Sequence, residues 1–317
     1  MRRLTPIATI VLFAACQDGT TTSPKTLDLP TASAPTRRPP GAIDCGERCN
    51  QIAFERDGFP ENGGYTTIYT IKPDGTGLAQ VIVGGEQPTW SPNHQKLAFR
   101  AYAYSAGIAT INANGTGMVG ITTNTQDQDP KFSPDGTKIA FARYSTDGTN
   151  DLWIMNADGT QQTPITNTPG YSEYAPDFSP DGKYLVFVAY APNSFNANIG
   201  VLDLATKTQK IISANQFHEL NPSWSPDGKR IAFQTGTFGQ NTGCIAVVDP
   251  DGSSRTEITA NGLDCSAPSW SPDSKNLAFR IKANGLSLLA TVDPKNPAAV
   301  TLVTKTQYLD SEPAWAR

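Results

Sequence analysis

One pattern recurs along this chain and leaves little choice of fold. Pro88-Thr-Trp90-Ser-Pro92-Asn is followed by Lys96-Leu-Ala-Phe99, and the pattern returns as Pro130-Lys-Phe132-Ser-Pro-Asp-Gly136 with Ile139-Ala-Phe141. It returns again at Pro176–Gly182 with Phe187, at Pro222–Gly228 with Phe233, and at Pro268–Ser274 with Phe279. From Phe99 onward the phenylalanines are spaced 42, 46, 46 and 46 residues. Self-similarity at such a period marks a repeat architecture in which each unit is one supersecondary element.

Each piece of the unit has a local reason. Ser-Pro-Asp-Gly presets a tight turn, because Pro fixes φ and Gly supplies a positive φ. The flanking segments are short and rich in Ile, Val, Phe and Trp, which reads as strand. Apolar runs such as Leu152-Trp-Ile-Met155 and Ile245-Ala-Val-Val248 supply a third strand, and a Gly turn with a short Thr-rich run supplies a fourth. Four strands in about 45 residues make one antiparallel blade of a β-propeller. The 3.6-residue apolar spacing of a helical solenoid is absent. The first strand, Ile52-Ala-Phe54, lacks the Pro-x-Trp-Ser-Pro strand before it, and Pro313-Ala-Trp315 lacks the strands after it. One incomplete unit at each end adds up to one whole blade. The sequence therefore predicts an all-β, six-bladed propeller over residues 45–317, closed by the C-terminal strand pairing with the N-terminal three, which removes open sheet edges.

The Pro-x-Trp-Ser-Pro-Asp-Gly…Ile-Ala-Phe repeat resembles the propeller repeat of the TolB family, a repeat also found in prolyl-oligopeptidase propellers. The resemblance is specific for the propeller fold and weak for function, since propellers host unrelated activities. TolB proteins carry an α/β domain before the propeller, for which residues 1–44 offer no counterpart. The oligopeptidases add a hydrolase domain with a Gly-x-Ser-x-Gly elbow, and no such motif occurs here.

Residues 1–15 read as an export signal: Met1-Arg2-Arg3, an apolar run from Leu4 to Phe13, then Ala14-Ala15 before Cys16. The run is too short to span a bilayer core, which needs about 20 residues. The small-small-Cys ending resembles a bacterial lipoprotein signal, implying lipidation of Cys16, although Phe13 stands where that motif usually carries Leu. Gln17 rather than Asp at the next position implies, by the same resemblance, the outer membrane. Residues 16–44 read as a tether: Gln17 to Pro40 holds six Thr and five Pro with almost no large apolar residue, too little to offset the entropy of ordering. Once Arg2 and Arg3 leave with the signal, 23 basic residues face 29 acidic ones. That is the wrong sign for gripping nucleic-acid phosphates.

Four cysteines of an exported chain, Cys45, Cys49, Cys244 and Cys265, read as two disulfides, Cys45–Cys49 and Cys244–Cys265. Acids recur three places before the strand-opening Pro, as Asp127, Glu173, Glu219 and Asp310, with Gly85 and Cys265 in the other two slots. This loop should open into the central channel, so the spacing predicts a partial acidic ring at a channel mouth. The ring has three readings: a site for a cation such as calcium, the one cofactor it would admit; capping of backbone N–H groups in each acid's own loop; or partner docking. His218, beside Glu219, is the one histidine placed for acid–base work, whereas His94 reads as a solvated turn residue. Asp147-Gly-Thr-Asn-Asp151 departs from the calcium-loop pattern. Aromatic residues collect in the long loops of one face: Phe59, Tyr65, Tyr102, Tyr104, Tyr144, Tyr190, Phe195 and Phe238, with Tyr171, Tyr174, Phe217 and Tyr308 from neighbouring loops. Tyr is enriched at binding surfaces.

These features predict a non-catalytic, monomeric, lipid-anchored envelope propeller. Its acidic, Tyr-rich face would bind a protein or peptidoglycan-associated partner, its only membrane contact being the lipid. The rival is a carbohydrate-active or other hydrolytic propeller, since glycosidases need two carboxyl groups roughly 5–9 Å apart and an acidic ring could supply them.

Overall fold

The computed structural model describes residues 50–57, 64–213, 217–237, 243–259, 264–283, 285–305 and 308–317. Twenty-four strands form six four-stranded antiparallel sheets, the six blades. Blade 1 is built from both ends of the chain, in the order Asp310–Trp315, Ile52–Arg56, Thr67–Ile71 and Ala79–Val83. The other five run outward in sequence from their inner strands Glu86–Trp90, Gln128–Phe132, Ser172–Phe178, His218–Trp224 and Asp264–Trp270. Six blades and the predicted closure are thus both present.

Closure is made by pairing and by side chains. Ile52 faces Trp315 and Ala53 faces Ala314, while Arg56 faces Asp310. The Trp315 indole donates to Asn50 Oδ1 at 2.6 Å, and the Trp315 backbone N–H donates to Ser269 Oγ of blade 6 at 2.9 Å. On the other side the Trp90 indole of blade 2 donates to the Ala314 carbonyl at 3.1 Å.

The core repeats with the sequence. Phe54, Phe99, Phe141, Phe187, Phe233 and Phe279 are all fully buried, one per blade. They pack with the strand-three aliphatics and with the Trp or Phe of a neighbouring inner strand, as in the cluster joining Ala232, Ile245, Trp270 and Phe279. Gly85 shows how tight this packing is: a Cβ there would stand 2.7 Å from the Phe99 ring and 2.8 Å from Ile68.

The inner strands share a device that sets which side chains face the channel. In every blade the pairing register slips around the X-Pro step. In every blade the residue before that Pro has positive φ: Gln87, Asp129, Ala175, Asn221, Ala267 and Glu312, between 46° and 55°. This is a β-bulge on an edge strand, the setting in which a residue without an N–H costs the ladder nothing.

The Ser-Pro-Asp-Gly turns are built alike. At Ser133 the hydroxyl meets Asp135 at 2.6 Å and accepts the Lys138 N–H at 2.9 Å, while Gly136 takes φ 72°. His94 holds the corresponding left-handed position in the first repeat, at φ 55°. It is not a solvated turn residue. It is buried, stands edge-on to Trp90 with ring centroids 6.3 Å apart, and its Nε2 lies 3.2 Å from the Arg317 carbonyl.

Deleting residues 310–317 should abolish the single cooperative melting transition, because blade 1 loses its inner strand and the ring its closure. A calorimetric trace with one unshifted transition would contradict this.

Candidate functional site

Asp127, Glu173, Glu219 and Asp310 are each fully buried, and none of them is among the residues lining the central cavity. Asp127 receives two bonds from Arg143, at 2.6 and 2.7 Å, and that guanidinium lies over Trp153 and Phe141 at 4.5 and 5.1 Å. Asp310 receives two from Arg56, at 2.6 and 3.0 Å, with the guanidinium among Tyr308, Tyr69 and Phe54. Glu219 pairs with Arg255, which also donates to Thr235 and lies over Phe233 and Phe217. Glu173 instead has the Thr166 and Thr168 hydroxyls and the Gln209 amide, 3.4 Å away, and burial raises its pKa. Bidentate Arg–carboxylate pairs of this kind hold position strongly.

The bulge explains the correction. Asp127 and Phe132 are five apart and would lie on opposite faces of a regular strand. Gln128 pairs with Ala142 and Lys131 with Ala140, so two residues oppose one. The extra residue brings Asp127 to the face that carries Phe132, against the packed interior. Cys265 fills the same slot in blade 6 and is buried too.

Cys244 and Cys265 are both buried, and the predicted disulfide between them is not formed. Cys265 hydrogen-bonds with the Thr259 side chain, and burial pushes its pKa up to about 12. A sulfur held this way in an apolar setting is an inert packing group. Cys16, Cys45 and Cys49 lie outside the described residues, as do Phe59 and Phe238.

The channel itself is lined by the residues flanking each bulge, which the acid-spacing argument missed although the position just before each Pro marks them. The lining includes Gln87, Asp129, Asn221 and Glu312 with Lys131, around a cavity of about 80 Å³. Side chains step from blade to blade: Gln87 N–H donates to Glu55 Oε1 at 2.5 Å, Asp129 N–H to Gln87 Oε1 at 2.9 Å, and Ala175 N–H to Asp129 Oδ2 at 3.1 Å. Burial raises the pKa of Asp129 and, further, of Glu55. Burial and the nearby Asp129 push Glu312 up to about 7. Among the described residues no three His, Cys, Asp or Glu side chains converge on a metal position.

On the loop face the structure brings Tyr174, Tyr190 and His218 together. The Tyr174 and Tyr190 rings are 5.9 Å apart and edge-on, and Tyr190 Oη lies 3.3 Å from His218 Nε2. Asn150 donates to Tyr174 Oη at 2.8 Å. Burial lowers the His218 pKa and raises that of Tyr190, so at neutral pH both are uncharged hydrogen-bonding groups. Beside them Phe195 is 75% and Phe217 44% exposed. Tyr65, Tyr104, Tyr144 and Leu309 are exposed elsewhere on the same face. Tyr104 donates to the Val83 carbonyl, whereas Tyr308 is committed to packing on Arg56. The loops 101–107, 167–172 and 190–197 contain no charged residue. The arrangement is a broad, aromatic and amide-rich surface around a polar channel, with Asp147 exposed in the loop after Tyr144.

Comparisons with known proteins agree with this architecture. The profile of the TolB beta propeller domain matches residues 50–191. Among solved structures, TolB from Acinetobacter baumannii superposes with a TM-score of 0.73 at 22% identity, over 86% of this chain and 67% of that one. A putative TolB from Agrobacterium tumefaciens superposes with 0.64 at 17% identity, over 84% of this chain and 98% of that one. Oligogalacturonate lyase from Vibrio parahaemolyticus gives 0.55 at 13% identity, over 80% and 79%. These likenesses establish a shared fold. No curated protein matches the sequence significantly.

The Glu312 geometry predicts a pH effect. A carboxyl whose folded pKa exceeds its unfolded value keeps its proton longer in the native state, so stability falls as pH rises from about 4.5 to 7. Glu312→Gln should melt a few degrees above the parent at about pH 8, with the gap closing toward about pH 5. Parallel melting curves across that range would remove Glu312 from the account.

Proposed function

Starting from a TolB-like β-propeller, we propose that this chain is a non-catalytic binding module of the bacterial envelope whose loop face engages a protein partner. The observation that carries this reading is the aromatic surface made by Tyr65, Tyr104, Tyr144, Phe195 and Phe217, exposed in loops or at a strand end while the core aromatics sit inside strands. Exposed apolar groups of this size mark interaction sites, and rigid aromatic rings with Ser, Asn and Gly between them give contact area at low entropic cost. The acids that would serve a hydrolytic mechanism are buried; Asp127, Glu219 and Asp310 are engaged by arginines and Glu173 by hydroxyl and amide groups. That favours binding over turnover.

The export-type sequence of residues 1–15 and the small-small-Cys ending at Cys16 support a lipid-anchored position on the outer side of the inner membrane, with residues 16–44 as the tether. No helix among the described residues is long and apolar enough to cross a membrane. Cys16→Ser, lacking the lipid acceptor, should move the protein from the membrane fraction to the soluble periplasmic fraction. A variant that stays with the membranes would refute lipid anchoring.

The loop face is tested by capture from an envelope extract with residues 41–317. The triple variant Tyr144→Ser/Phe195→Ser/Phe217→Ser should lose the captured partner at an unchanged melting temperature. A partner held equally by both proteins would exclude this face.

A further inference from the structure

The face opposite the loops holds a second concavity, a funnel of about 890 Å³. That is the size of a small-molecule site, and such sites combine an apolar lining with a few convergent polar groups. Six prolines line the wall, Pro73 and one from each Ser-Pro turn: Pro92, Pro134, Pro180, Pro226 and Pro272. The edges of Trp90, Trp224 and Trp315 show between them. In the sixth unit Arg317 stands where the others have this Pro, so a cation replaces a wall residue.

The floor is positive. Lys131 reaches it from blade 3 and Arg317 from blade 1. Their shared counter-carboxylate, Asp177, is completely buried and already occupied: one oxygen is taken by Arg317 and the other accepts the Trp224 N–H at 2.8 Å. The Lys131 ammonium is left 3.9 Å from Asp177, too far for a hydrogen bond. Asp129 and Glu312 lie on the channel side of Lys131; burial raises both carboxyl pKa values and lowers that of Lys131, while Asp177, Asp129 and Glu312 favour the charged ammonium. Asp273 is the one acid in the funnel lining, and Lys275 lies 3.6 Å from it.

We propose that this funnel binds a small amphipathic carboxylate, its flat apolar body against the prolines and indole edges and its carboxylate on Lys131 beside Arg317. An ammonium beside a guanidinium, at the bottom of a cup walled by prolines and indole edges, recognises such an anion as a point charge. The site lies on the other face from the partner surface and stands or falls independently of it.

Naphthylacetate and its uncharged counterpart naphthylacetamide test the idea by calorimetry and tryptophan fluorescence on residues 41–317. The acid should bind one per chain and at least about tenfold tighter than the amide. Lys131→Gln should reduce the acid to the amide's affinity and leave the amide unchanged. Asn276→Trp, which places an indole in the funnel, should abolish binding of both; melting curves verify that each variant is folded. Equal binding of acid and amide, no saturation below about 1 mM, or an acid still bound by Asn276→Trp would each overturn the proposal.

Discussion

The bulge at the X-Pro step of each inner strand is the constraint from which the rest of this molecule follows. One positive-φ residue in each blade adds a residue to one side of the ladder, and everything before it changes face. It turns Asp127, Glu219 and Asp310 toward the packed interior, where arginines neutralise them. It also turns a different set, Gln87, Asp129 and Glu312, toward the axis. The proline is tolerated because it sits on an edge strand with no ladder partner on the channel side. The polar character of the channel and the dryness of the blade interior therefore have one backbone cause.

The fold was legible because its signals are local and repeated: a turn tetrapeptide, a Phe at fixed spacing, and a strand missing from each end. The site was not legible to the same degree. Asp127 and Phe132 look like opposite faces until the bulge is known, and Asp129, adjacent to a proline, looks like a turn residue. The arginine partners do not share one offset: Arg56 and Arg143 stand two places after their Phe, but Arg255 lies in a turn leading to the outer strand. Cys265 illustrates the same difficulty, since its slot, rather than its export context, decided that it would be a packed thiol. Aromatic residues in loops were readable as a class, yet only the coordinates separate Tyr308, spent on Arg56, from Phe195, which is open to solvent.

The buried pairs also bear on specificity of assembly. Six similar repeats could in principle pair an inner strand with the wrong second strand. The slot three places before Pro has five fillings over six blades: an Asp–Arg pair in blades 1 and 3, then a Glu among hydroxyls, a Glu–Arg pair, a Cys and a Gly. An unpaired charge in that slot is costly to bury. The non-equivalent fillings therefore discriminate against mismatched registers that the aromatic repeat alone would accept.

The pairing of Arg56 with Asp310 joins residues 254 apart in the chain. Contacts of that separation form last, since loop closure must be met before they are rewarded. Until then every blade edge at the gap is open to wrong partners. A chain with this topology stays unclosed until its last strand, Asp310–Trp315, has been made, so the ring is completed only once synthesis is over.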